Sequence, residues 1–161
     1  MTKSVITVLT LALLVGGLAL GLQPGAARTA MAQKPKKVAD RVEQALKTKE
    51  PGWKLARKMG SEVTVIHQWK FRGEEVGYSI TEHASPEAAA ESFEFTASTI
   101  AVGGPTELKG IGDKAYLWPG DSRRSTALHF RKDNVHVALN APSVTLAKRF
   151  ARHIEKEIDD K

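Results

Sequence analysis

The sequence contains no cysteine among its 161 residues. This absence excludes disulfide bonds, a thiol nucleophile, cysteine-ligated metals and the acylated cysteine of a lipoprotein. Because no covalent crosslink is available, the fold must be stabilised by a hydrophobic core. The chain is long enough to bury one.

The sequence also lacks the short motifs of common catalytic and metal sites. No serine lies in Gly-x-Ser-x-Gly or Ser-x-x-Lys, and no two histidines have the His-x-x-x-His or His-Glu-x-x-His spacing. The neighbouring acids Glu74 and Glu75 fall in a predicted turn and point apart, as expected for a solvated hairpin tip. We therefore expect a protein that is not an enzyme and needs no cofactor.

Long apolar runs are absent except at the N-terminus, where residues 1–32 have the features of a secretory signal peptide. Lys3 precedes an apolar stretch from Val5 to Leu22, and Ala30-Met31-Ala32 predicts cleavage before Gln33. The alternative is an uncleaved anchor, since spanning a bilayer needs roughly 17–25 apolar residues. We predict an exported protein, periplasmic or extracellular, with no membrane span after cleavage.

The charge balance is only mildly basic. The chain has 24 Lys and Arg against 18 Asp and Glu, a formal net charge of +6. This density is below that of typical nucleic-acid binders, and export also argues against a nucleic-acid partner. The expected partner is an unknown envelope protein or a small ligand.

The periodicity of apolar residues predicts three helices and five strands. Val38 to Lys49 and the segment with the stripe Ala147, Phe150, Ala151, Ile154 and Ile158 have helical spacing, and Ser85-Pro86-Glu87 is a typical helix start. Alternation with a period of two predicts strands. The inward-facing positions are Val63, Val65, His67, Trp69 and Phe71, then Val76, Tyr78 and Ile80, then Thr126, Leu128 and Phe130, then Val135, Val137 and Leu139, with a further strand over Ala115 to Trp118.

These elements predict an α+β fold with an antiparallel sheet of about five strands covered by amphipathic helices, in the order α-β-β-α-β-β-β-α. We divide the chain into the signal peptide 1–32, a basic lead-in and N-terminal helix 33–52, and a single α+β domain 53–161.

The pattern resembles small exported bacterial proteins with a PsbP/Mog1-like α/β/α sandwich. The likeness is carried by the Ser-Pro-Glu helix start, by Gly110-Ile111-Gly112-Asp113-Lys114-Ala115, and by the hairpin Leu128 to Val137 before a closing amphipathic helix. The resemblance implies a compact binding or accessory domain without a shared active site. We therefore expect a non-enzymatic binding or accessory domain of the bacterial envelope.

His129 and His136 are the candidate metal ligands. If Lys132-Asp133 forms a two-residue turn, the two histidines lie opposite each other, with Cβ atoms roughly 4.5–5.5 Å apart. The competing interpretation is a pair of polar residues on the less buried face of the sheet, because no third ligand is apparent.

Two further hypotheses concern other residues. One is a small enzyme with a pocket between sheet and helix that uses His67 or Asp113, although the glycines beside Asp113 favour a shaped turn. The other is a polyanion-binding surface protein, whose anion patch would comprise Arg123, Arg124, Arg131 and Lys132. Such cations more often protect exposed sheet surface from aggregation.

Overall fold

The computed structural model describes residues 35–100, 104–121 and 125–159. They form three helices and seven strands. In chain order these are α1 (Pro35–Lys49), β1 (Lys54–Gly60), β2 (Thr64–Phe71), β3 (Glu74–Glu82), α2 (Pro86–Thr99), β4 (Thr106–Leu108), β5 (Lys114–Trp118), β6 (Thr126–Lys132), β7 (Val135–Ala141) and α3 (Val144–Asp159).

The strands form one antiparallel sheet in the order β1-β2-β3-β7-β6-β5-β4. Neighbours in the sheet are neighbours in the chain except in the middle, where β3 pairs with β7. The expected α+β character is confirmed, but five strands in the order α-β-β-α-β-β-β-α was wrong, because β1 and β4 were missed.

Both missed strands lie at the edges of the sheet, where the sequence pattern is weakest. β1 is almost wholly exposed, and its register shifts between Leu55 and Arg57, so apolar and polar residues do not alternate. β4 has three residues, too few to display a period of two. Trp53, between α1 and β1, is buried against Phe150 and Phe71.

Helices α1 and α3 cover one face of the sheet. They pack on each other and on the central strands, around a continuous apolar cluster that includes Trp69, Phe130 and Phe150. All five residues of the α3 stripe are buried as predicted, and the alternation in β2 and β3 places Val65, His67, Trp69, Val76, Tyr78 and Ile80 on this face.

Helix α2 covers part of the opposite face, over β6 and β7. Its start is fixed as predicted: the Ser85 hydroxyl accepts a hydrogen bond from the Ala88 N–H at 3.2 Å, and Pro86 occupies the first turn. Only Ala89 and Phe93 of this helix are buried. The helix therefore has a much smaller apolar contact with the sheet than α3.

Within the described residues, no helix is long and apolar enough to cross a membrane. The predicted signal peptide lies outside the described residues.

Candidate functional site

The face of the sheet under α2 is lined by aromatic and imidazole rings. Adjacent strands place these side chains side by side, because Tyr116 pairs with His129 and Arg131 pairs with His136 in the sheet register. We call this set the histidine face; its members are His83, Phe93, Tyr116, Trp118, His129 and His136.

The rings of the histidine face form a continuous chain of contacts. Phe93 stacks on Tyr116 with ring centroids 5.2 Å apart, and its ring lies edge-on to His136 at 5.6 Å. Trp118 contacts His129 at 5.2 Å, and the two imidazoles are 5.7 Å apart. The aromatic residue that α2 contributes to this face, Phe93, thus packs on Tyr116 and on one of the two histidines, His136.

Four buried ring nitrogens of this face have no hydrogen-bond partner in the described part of the chain: His83 Nε2, Trp118 Nε1, His129 Nδ1 and His136 Nε2. A buried polar atom left without a partner costs roughly 1–3 kcal/mol. Most buried polar groups in proteins are satisfied, so four such atoms in one cluster require an explanation.

Burial keeps these imidazoles neutral. It lowers the pKa of His129 to about 4. It also lowers the pKa of His136 to about 3, with a further contribution from His129 and His83. The pKa of His83 is lowered by burial as well. Neutral imidazoles with unshared lone pairs are therefore present at this face at neutral pH.

The register of the β6–β7 hairpin differs from the prediction. The turn is Asp133-Asn134, one residue further along the chain, so His129 pairs with Ala138 and His136 with Arg131. Such a shift moves each partner by two positions and preserves the face of every side chain. The two histidines are therefore diagonal neighbours on one face, and the expected direct pairing was wrong.

Both histidines are also more buried than the polar interpretation implies, each with 7 % of its surface exposed. In the part of the chain that the structure describes, no three His, Asp or Glu residues are grouped so that they could hold a metal ion. A metal at this face would have to be held by fewer protein side chains.

His67 lies on the other face, under α1, and takes part in a structural network. Its Nδ1 is 2.8 Å from the Tyr78 hydroxyl, which also accepts a hydrogen bond from Trp69 Nε1 at 3.3 Å. Burial, with the nearby positive charge of Lys58, lowers the pKa of His67 to about 4. No hydrogen bond between His67 and a carboxylate is found in the described residues, so the partner that a catalytic base needs is missing.

Asp113 connects the segment before β5 to the β6–β7 hairpin. Its carboxylate accepts hydrogen bonds from the Asp133 N–H at 2.8 Å and from Arg131 at 3.0 Å. Gly110 and Gly112 have φ values of 76° and 59°, as predicted for a shaped turn. At Gly112 a side chain would also collide with the carbonyl oxygen of Arg131. This segment connects β4 to β5, and its role is structural.

The predicted anion patch is only partly described. Arg131 forms an ion pair with Asp113 at 3.0 Å, and Lys132 forms one with Glu155 at 3.4 Å. Arg123 and Arg124 lie outside the described residues. The two cations that are described are thus already neutralised by acids of the same chain.

Trp118, Phe93, Tyr116 and His83 were not identified as site residues from the sequence. Tyr116 and Trp118 alternate with Ala115 and Leu117, and this signal places both aromatic rings on the face away from the core. The position of α2 over that face has no local signature. No protein-family model matches the chain, and no curated protein or solved structure shows significant similarity to it.

Proposed function

We propose that the protein is an exported, non-enzymatic binding domain of the bacterial envelope and that the histidine face is its binding surface. The observation that carries the proposal is the cluster of four unpartnered ring nitrogens under α2. A ligand that hydrogen-bonds to these atoms would remove the free-energy cost of burying them without partners.

The chemistry of the histidine face favours binding over catalysis. A general base needs a pKa near the working pH and a group that orients it. His129 and His136 have pKa values of about 4 and about 3, well below neutrality. Within the described residues no carboxylate hydrogen-bonds to either ring. These imidazoles can accept or donate hydrogen bonds and coordinate ions, but they are poorly suited to transfer protons at neutral pH.

Helix α2 gives access to this surface. Regions with few buried apolar contacts open locally at a lower free energy than the core. Since α2 buries only Ala89 and Phe93, its separation from the sheet exposes the histidine face while the α1 and α3 side stays packed.

The binding role is tested with hydrogen exchange on the purified protein. We expect the amides of α2 to exchange faster than those of α3, and to slow when a bound ligand occupies the histidine face. The ligands are taken from a thermal-shift panel of metal ions, sugars, amino acids and nucleosides, with His136→Phe as the matched variant. If no compound protects α2 in the wild type, or if protection persists in the variant, the proposed surface is wrong.

Export is tested separately. We expect the protein expressed in a bacterium to be recovered from the periplasm or medium, with an N-terminus at Gln33 or its cyclised form. Recovery from the cytoplasm with residues 1–32 intact would contradict the proposed location, and recovery in the membrane with these residues intact would support the anchor instead.

A further inference from the structure

Two of the unpartnered nitrogens, His129 Nδ1 and His136 Nε2, belong to neighbouring imidazoles. The rings of His129 and His136 are 5.7 Å apart and inclined by 52°. A metal–nitrogen bond to histidine is about 2.0–2.1 Å, and the ring centre lies about 1.2 Å behind the nitrogen. Two imidazoles that hold one ion in a linear arrangement, as two-coordinate ions prefer, therefore have centroids about 6.4 Å apart, and bent arrangements bring them closer. The observed separation of 5.7 Å is about 0.7 Å shorter than the linear value, so binding requires a small displacement of the rings or a bent arrangement.

The number of available ligands limits which ion fits. Structural zinc sites are almost always four-coordinate, and the described residues offer no group of three His, Asp or Glu around this pair. A closed-shell monovalent ion such as Cu⁺ is satisfied by two nitrogen ligands. Imidazole is also a donor that copper accepts well.

The charge of the surroundings points in the same direction. The six residues of the histidine face include no carboxylate, so a divalent ion there would be buried without compensating charge. Burial of an unpaired charge is costly, and the cost rises with the square of the charge.

We propose that His129 Nδ1 and His136 Nε2 bind one monovalent copper ion beneath α2. This inference rests on the proposed binding function and names its ligand. The ion needs no large cavity, which suits a face where Phe93 of α2 packs against His136. It also leaves the helix free to act as the cover through which the metal enters.

The test is anaerobic competition between the protein and a chromogenic Cu⁺ chelator. We expect the wild type to withdraw one equivalent of copper, and His129→Phe and His136→Phe each to weaken binding by at least about tenfold, as loss of one of two ligands requires. His153→Ala and Met59→Leu are matched controls, because His153 pairs with Glu50 elsewhere and Met59 is an exposed thioether. Both controls should bind copper as the wild type does.

A second measurement needs no variant. Because Cu⁺ is diamagnetic, its addition should shift the imidazole resonances of His129 and His136 in the wild type and leave those of His67 unmoved. Zn²⁺ should bind far more weakly at these two residues. Copper uptake that leaves both resonances unchanged, or that survives both substitutions, overturns the proposal.

The outcomes separate the two proposals. If the wild type takes up no copper but another ligand protects α2 in a His136-dependent manner, the copper inference fails and the binding function stands. If Zn²⁺ binds as tightly as Cu⁺ at the same residues, the argument from ligand number and charge is wrong. If neither any metal nor any other ligand protects α2, both proposals fail.

Discussion

The two faces of the sheet are built on different chemistry. Under α1 and α3 the core is almost wholly apolar, and Trp69 and His67 there share the hydroxyl of Tyr78. Under α2 the rings are as tightly associated, but four of their nitrogens have no hydrogen-bond partner among the described residues, against a single ring nitrogen, His67 Nε2, on the first face. The difference shows that one face provides stability and that the other retains polar groups which stability alone does not favour.

Apolar groups of the same shape at His129 and His136 would be neutral or stabilising for the fold. The α2 helix reinforces this contrast, because it buries two residues whereas α3 buries Leu146, Ala147, Phe150, Ala151, Ile154 and Ile158. Stability and binding are thus assigned to opposite sides of one sheet, and the following substitutions compare those sides directly.

The largest expected effect is from truncation of a core aromatic residue. Phe150→Ala should lower the free energy of unfolding by about 3–5 kcal/mol, since the ring is fully buried against Trp53. Phe93→Ala is the matched change under α2. It should have a smaller effect on the urea midpoint but strongly increase hydrogen exchange in α2. Equal losses of global stability would show that α2 is part of the same cooperative unit.

The second effect is a loss of stability in acid. Burial lowers the pKa values of His129 and His136 to about 4 and about 3, whereas an unperturbed histidine titrates near 6.5. Their contribution is therefore fully present above pH 6.5 and is lost as the pH falls toward 3.

Urea unfolding between pH 7 and pH 4 measures this loss. The double variant His129→Phe/His136→Phe should show a shallower dependence on pH than the wild type. Some dependence will remain, because His67 on the other face also has a pKa of about 4. Parallel curves for the two proteins would contradict the buried, neutral state of the pair.

A matched pair of tryptophan substitutions gives the next largest effect. Trp69→Phe removes a hydrogen bond to Tyr78, whereas Trp118→Phe removes a nitrogen that has no partner. Both changes lose ring volume, so the difference between them isolates the polar atom. We expect Trp118→Phe to be less destabilising by about 1–2 kcal/mol in urea titrations. The reverse order would indicate that Trp118 Nε1 is satisfied in solution.

The smallest expected effect concerns the exposed anchor of α2. Glu94 forms an ion pair with Lys114 at 2.6 Å, at the solvent edge of the histidine face. Glu94→Gln should change global stability by less than about 0.5 kcal/mol, as is usual for exposed pairs. It should nevertheless speed hydrogen exchange in α2. A change confined to α3 or β2 would contradict the local opening of this helix.

The sequence predicted the helices and strands in which buried residues recur at the regular spacing of that element, every three or four residues in a helix and every two in a strand. The α3 stripe and the alternating strands β2 and β3 have this property, so their inward faces were identified correctly except at Val63, which precedes β2 and is 57 % exposed. β1 lacks it because a bulge interrupts the strand and one side remains in solvent. Its Lys and Arg residues fit an exposed edge better than a recognisable strand.

The candidate site was predicted in part for the same reason. The alternation of side chains along β6 and β7 predicted that His129 and His136 lie on one face, as they do. Their burial depends on where α2 docks, and that position is decided by the whole sheet, not by residues near either histidine. The turn was placed one residue too early, although turn chemistry favours Asp133-Asn134 over Lys132-Asp133: Asp and Asn tolerate positive φ, and Asp133 has a φ of 50°.

The pairing of β3 with β7 has a consequence for how the chain reaches its compartment. It joins Gly77–Glu82 to Val135–Asn140, and α1 likewise packs against α3. The central seam therefore closes only when the last strand and helix have left the ribosome, and contacts between distant segments form slowly. If the chain is exported as we propose, this late formation of the sheet would keep the polypeptide unfolded, and so able to pass through a translocation channel.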